Sequence, residues 1–325
     1  MIWWGMVTLG LVIAGDAVLR VLYARLMLPR FETKPIFQAP RVAPNPRSEP
    51  IAFATSHHLT LRGSLHHPAH GTPRAVVLFC PELDGSHWSA SEYCRGLLEA
   101  GFAVLSFDFR NQGESDHQAN YEPLHWPTEF EAADVSAALG YLDSRADLAA
   151  LPRGVMGISR GGQVALWMAS VEPRFRAVCC EGAYDSESLQ LYFTLRWGSL
   201  YLPAWMYRIC PAWHYRGTLW LVRRLSELRR GVHYLSIGSG LREIREQGVL
   251  LITGERDNYV HPEIAAGLRD QMKRTDRDFW VVPRAKHNQA RQMNPVEYDQ
   301  RVSDFFLRHL RVERPAPRFE SMEVA

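Results

Sequence analysis

Gly157-Ile158-Ser159-Arg160-Gly161-Gly162 follows the apolar residues Val155 and Met156 and precedes Val164, Ala165, Trp167, Met168 and Val171, which recur at helical spacing. Strand, tight turn and helix therefore follow one another here, with Ser159 on the turn. A serine placed this way is pushed clear of the sheet, and the turn admits only very small side chains two places before and after it, here Gly157 and Gly161. The stretch reads as a nucleophile elbow. A Gly-x-Ser-x-Gly string arises by chance about 0.1 times in a chain of this composition, so its surroundings must carry the reading.

Working outward, the chain alternates strand and helix signals. Ile51–Ser56 and Leu59–Leu65 read as a hairpin, with His57-His58 at its turn and His66-His67 at its exit. Adjacent histidines on a strand point to opposite faces and have no partner at ligand spacing, so solvated turn residues are expected and no metal site. Ala75–Cys80 is a continuous apolar run, as in a strand buried on both faces, and it ends in Pro81-Glu82-Leu83-Asp84-Gly85. Ser91–Ala100 predicts a helix and Phe102–Asp108 a strand, followed by Asp108-Phe109-Arg110-Asn111-Gln112-Gly113-Glu114-Ser115. Thr128 and Glu131 form a capping box for a helix to about Asp143. Beyond the elbow, Arg176–Glu181 and Val249–Thr253 read as strands, and Gly254-Glu255-Arg256-Asp257 places a carboxylate at the end of the second. Phe279–Val282 is the last strand, His287 lies in the loop after it, and Asn294-Pro295 opens a helix to about Leu310. Right-handed crossovers in such a chain give a mostly parallel sheet with helices on both faces and functional loops at the strand C-termini.

Four motifs in this order, Asp108-x-Arg110-x-x-Gly113-x-Ser115, Gly157-x-Ser159-x-Gly161, Gly254-x-x-Asp257-x-x-Val260 and the loop around His287, resemble the α/β-hydrolase superfamily over residues 51–311. The resemblance implies the α/β-hydrolase fold, with Ser159 as nucleophile, His287 as base and Asp257 as the acid that orients it. Glu181 and Asp185, after the preceding strand, are the rival acids. It also implies oxyanion donors at the backbone N–H groups of Arg160 and Glu82. Many members carry His-Gly and an apolar residue where this chain has Cys80-Pro81-Glu82. A carboxylate beside a developing oxyanion is repulsive, so an Arg160–Glu82 ion pair is expected to neutralise it.

Between the strand ending at Glu181 and Val249 lie more than sixty residues, the length of a cap at about 184–246. Residues 184–220 hold ten aromatics, which predict an aromatic acyl pocket as well as ordinary packing of the cap. Leu83, Tyr184, Tyr192 and Trp197 are the candidate substrate contacts. A cap so rich in Trp and Tyr is also able to touch a bilayer interface and draw lipid-like esters from it.

Residues 1–28 form an apolar helix, uncharged from Ile2 to Gly15 and interrupted by Asp16, Arg20 and Arg25. It lacks a basic leader and a small-residue cleavage site, so it reads as a retained membrane anchor or interfacial helix rather than a signal peptide. Arg20, Arg25 and Arg30 on its C-terminal flank predict a cytoplasmic catalytic body. Residues 29–50 carry six prolines and read as a linker, and residues 312–325 as a polar tail. The 37 basic and 35 acidic residues nearly cancel, which argues against nucleic acid as a partner. Five cysteines show no metal-ligand spacing and fit a reduced compartment. The reading is a membrane-associated serine hydrolase of apolar carboxylic esters that needs no cofactor. The alternatives are a thioesterase, acyltransferase or serine peptidase of the same fold, or a catalytically silent, membrane-tethered interaction protein.

Overall fold

The computed structural model describes residues 2–35, 39, 41–201, 203, 205, 212–244, 246–272 and 277–313. Its centre is an eight-stranded sheet: β1 (Glu49–Ala54), β2 (Thr60–His66), β3 (Val76–Cys80), β4 (Ala103–Phe107), β5 (Arg153–Ile158), β6 (Phe175–Glu181), β7 (Gly248–Gly254) and β8 (Arg277–Val282). Their order across the sheet is β1-β2-β4-β3-β5-β6-β7-β8. β1 and β2 form an antiparallel hairpin that pairs antiparallel to β4, and every later pairing is parallel.

Because successive strand residues face opposite ways, each central strand feeds two cores. Val76, Leu78 and Cys80 pack towards α2 (Glu129–Ser144) and α3 (Arg160–Val171), while Val77 and Phe79 pack towards α7 (Pro295–Leu310). This double burial explains why β3, β5 and β7 carry no polar alternation. The region expected as one helix over Ser91–Ala100 is instead two short helical segments, Ala90–Tyr93 and Arg95–Glu99, broken at Cys94. His66 also departs from expectation: it is buried and hydrogen-bonded to Ser64 Oγ at 2.8 Å, and burial lowers its pKa to about 4.

A third core lies over the C-terminal edge of the sheet, where α4 (Ser186–Tyr201), α5 (Ala212–Arg230) and α6 (Pro262–Gln271) meet the N-terminal helix α1 (Ile2–Phe31). Ala24 and Phe31 of α1 are buried there with Trp126, Tyr184, Val222 and Tyr234. α1 runs three residues past its expected end and keeps Pro29 in its last turn. Phe31 explains this: its ring stacks on Trp126 with centroids 5.1 Å apart, and its carbonyl accepts from Trp126 Nε1 at 2.8 Å. Trp3–Gly15 of α1, by contrast, are exposed. Of the polar tail expected over residues 312–325, only Val312 and Glu313 are among the described residues.

Candidate active site

β5 delivers Ser159 to the sheet edge on a strained turn with φ 52° and ψ −114°, a region that non-glycine residues rarely adopt. The turn survives because its flanking glycines leave no room for anything else. A Cβ on Gly161 would stand 2.1 Å from the Cys80 carbonyl oxygen, and one on Gly157 would stand 2.3 Å from that of Gly161. The end of β3 is thereby pressed against the elbow, which brings the Glu82 loop beside Ser159.

Ser159 Oγ lies 2.9 Å from His287 Nε2, and His287 Nδ1 lies 2.7 Å from Asp257 Oδ2. The other Asp257 oxygen accepts from the backbone N–H groups of Tyr259 and Val260 at 2.9 and 2.8 Å, so the carboxylate is aimed at the imidazole by its own loop. A carboxylate held there selects the tautomer with the proton on Nδ1, leaving Nε2 as the acceptor facing the hydroxyl. The rival acids are engaged elsewhere. Glu181 accepts from the Ala290 N–H at 2.8 Å and the Tyr298 hydroxyl at 2.9 Å, and Asp185 accepts from Ser188 at the start of α4. This arrangement is able to deprotonate a serine hydroxyl and store the proton on a stabilised imidazolium.

Among the described residues, neither the Arg160 nor the Glu82 backbone N–H donates to a backbone carbonyl. The expected Arg160–Glu82 ion pair does not form. The fully buried Arg160 guanidinium instead meets Glu131 at 2.7 Å and the Tyr121 hydroxyl at 3.2 Å. Burial opposes ionisation of Glu131, but the Arg160 charge and bonds from Tyr121 and Thr128 outweigh it and hold its pKa below the ordinary value. Glu131 was legible only as the partner of Thr128 in a capping box, a role it also performs here. Glu82 is left alone: its carboxyl is buried, neither oxygen has a hydrogen-bond partner, and burial raises its pKa to about 7. The neutral form of this carboxyl is thus favoured by burial, and no arginine is paired with it among the described residues.

A cleft of about 300 Å³ opens over Ser159, lined by Leu83, His125, Tyr184, Tyr259, Lys286 and Pro35 among others. Leu83 and Tyr184, two of the expected substrate contacts, both line this cleft. Tyr192 does not line the cleft; it stacks on His261 with centroids 5.6 Å apart. Trp197 lies on α4, but its side chain falls outside the described residues. His125 was missed, since a single loop histidine without a motif carries no signal. Tyr259 is adjacent in sequence to the Asp257 loop and was within reach. Burial, then the nearby Arg160 charge, lowers the His125 pKa to about 3 and keeps the ring neutral. Among the described residues, no cluster of three His, Cys, Asp or Glu side chains is arranged to hold a metal ion.

The family model described as alpha/beta hydrolase matches residues 65–302. The chain belongs to the alpha/beta hydrolase family. Among solved structures, this hydrolase resembles an esterase of Pyrococcus furiosus, Pf2001, with a TM-score of 0.61 and 22% identity, covering 86% of this chain and 100% of that one. It also resembles the esterase domain of a Rhodothermus marinus protein, with a TM-score of 0.54 and 20% identity over 81% of this chain and 99% of the other. At such identities the likeness concerns the fold. In sequence, 138 residues are 29% identical to the uncharacterized protein PA2218 of Pseudomonas aeruginosa, covering 42% of this chain and only 36% of that relative's length.

Proposed function

We propose that this alpha/beta hydrolase is a membrane-associated serine esterase that cleaves apolar carboxylic esters through an acyl-enzyme on Ser159. The observation that carries the reading is the unbroken chain from Ser159 Oγ through His287 to Asp257, with both distances under 3 Å, at the floor of an open cleft. Ser159 Oγ attacks the ester carbonyl while its proton passes to His287 Nε2, and Asp257 stabilises the imidazolium that results. The Arg160 and Glu82 N–H groups receive the oxyanion. The imidazolium then protonates the departing alkoxide, and the alcohol leaves. Water, deprotonated by His287, attacks the acyl-enzyme and releases the carboxylic acid. Leu83, Tyr184 and Tyr259 supply an apolar wall, and a cleft of about 300 Å³ is at the small end for ligand sites, which favours short acyl groups.

Membrane association rests on α1, a helix that by length and composition alone is able to cross a bilayer and whose uncharged segment Trp3–Gly15 is exposed. Arginines on its C-terminal flank favour a catalytic body on the cytoplasmic side. A fluorophosphonate probe is expected to label wild-type protein and to leave Ser159→Ala unlabelled, with ester turnover in the variant lower by about 10⁴-fold or more. Folded wild-type protein that resists the probe and hydrolyses no ester of any chain length would sink the proposal.

A further inference from the structure

α1 does not stand apart from the cap. His214 Nδ1 lies 2.6 Å from Asp16 Oδ1, Arg20 pairs with Asp16 at 2.6 Å, and the Arg20 guanidinium sits 4.9 Å from the centroid of the Trp213 ring. Further along, Glu32 accepts from Ser226 Oγ at 2.8 Å and pairs with Arg229. The contacts advance together along both helices, so α1 and α5 run parallel, and the start of α5 is fixed at the level of Asp16.

That register limits how the protein meets a bilayer. Only Ile2–Gly15 project free of the body, and fourteen helical residues reach about 21 Å, less than the roughly 30 Å of a hydrocarbon core. Insertion of α1 deep enough to bury its apolar first half therefore brings Asp16 to the lipid boundary, and the first turns of α5 with it. The outward side of α5 is composed for that place. Trp213, Arg216, Trp220 and Arg224 recur on one helical face; both tryptophans are exposed, at 59% and 65%, as are both arginines. α1 carries three arginines and α5 five, against only Asp16, paired with Arg20, and Glu227, paired with Arg223 and Arg224, which leaves Arg216 as the exposed cation at the start of α5.

We propose that the start of α5, with Trp213, Arg216 and Trp220 on its outward face, is a docking surface for an anionic phospholipid bilayer, with the tryptophans among the headgroups and Arg216 on a lipid phosphate. The inference rests on the reading of α1 as a bilayer helix and adds a second, charge-selective contact. That contact fixes the orientation of the cap, because α5 is tied to α1 at both ends.

The test is flotation of the full-length protein with vesicles of phosphatidylcholine alone or mixed with phosphatidylglycerol, with fluorophosphonate labelling run separately in detergent. Wild type is expected to bind the anionic vesicles more tightly. Arg216→Gln should lower that affinity about fivefold without changing binding to neutral vesicles, whereas Arg224→Gln, further along α5 and paired with Glu227, should change it less. Trp213→Ala with Trp220→Ala should weaken binding to both. Thermal melting checks that each variant is folded, and Arg216→Gln, on an exposed site, decides the matter if the tryptophan pair is not. Equal wild-type affinity for the two vesicle types, or an unchanged Arg216→Gln, overturns the proposal. So does a protein that ignores vesicles and sediments as a dimer, which would assign the face to a second copy. Loss of labelling, by contrast, overturns the esterase reading and leaves the docking surface standing.

Discussion

Glu82 lines the cleft with Ser159 and carries a buried carboxyl. That carboxyl, 4% exposed and with no hydrogen-bond partner from another residue, has its pKa pushed up to about 7 by burial. The folded protein therefore binds a proton more tightly at this position than the unfolded chain does. The associated stability is fully present below the ordinary glutamate value of 4.5 and is lost as pH rises through about 7. Glu181, also raised to about 7 by burial and close enough to Glu82 to repel its charge, moves in the same direction. Glu82→Gln should accordingly stabilise the protein at pH 8 by roughly 1 to 3 kcal/mol and change little at pH 4. Urea midpoints at the two pH values check this. In turnover, the same variant should retain kcat/KM at alkaline pH where wild type loses it, because an ionised Glu82 opposes the oxyanion. Superimposable pH profiles would show that the carboxyl does not feel the reacting centre.

At the scale of elements, α2 and α3 are joined by one buried ion pair. Arg160 opens α3 directly after the serine, and Glu131 sits in the first turn of α2, where it also accepts from the Thr128 N–H at 2.7 Å. Removing one member of a buried pair leaves an uncompensated charge, so Glu131→Ala should cost about 3 to 5 kcal/mol in urea unfolding. Arg160→Met with Glu131→Leu should recover much of that loss, whereas additive losses would mean the two side chains act independently. The same elements show which features can be read without coordinates. Asp257, Ser159 and His287 were legible because each sits in a short motif at a strand end, and parallel strands bring such ends together. The partner of Arg160 was not: Glu82 is nearer in the expected loop order, but only the packing of α2 against α3 decides that Glu131 reaches the guanidinium. His125 and the turn of Tyr192 away from the cleft depend likewise on how loops and cap settle on the sheet edge. The extension of α1 through Pro29 follows from a tertiary contact, Phe31 on Trp126, that local propensity does not contain.

Over the whole molecule, α1 is two things in one helix. Among the described residues, its segment Trp3–Gly15 is exposed, and its second half is a wall of the third core, joined to α5 and to Trp126 next to the cleft residue His125. The path continues from Phe31 through Lys34, which pairs with Asp84 at 3.6 Å, to Pro35 on the cleft lining. Two truncations separate these roles. Loss of residues 2–15 removes exposed apolar surface only, so labelling of Ser159 in detergent and the melting temperature should stay near wild type while vesicle binding falls. Loss of residues 2–31 uncovers Trp126, Tyr234 and Val222 and deletes the buried Phe31, whose removal alone is of the order of 3 kcal/mol. That form should melt several degrees lower, become sensitive to proteases within the cap, and label more slowly. The shape of the response carries the argument: graded loss across both truncations would make α1 a simple tether, whereas a break between residues 15 and 31 makes its second half part of the catalytic body.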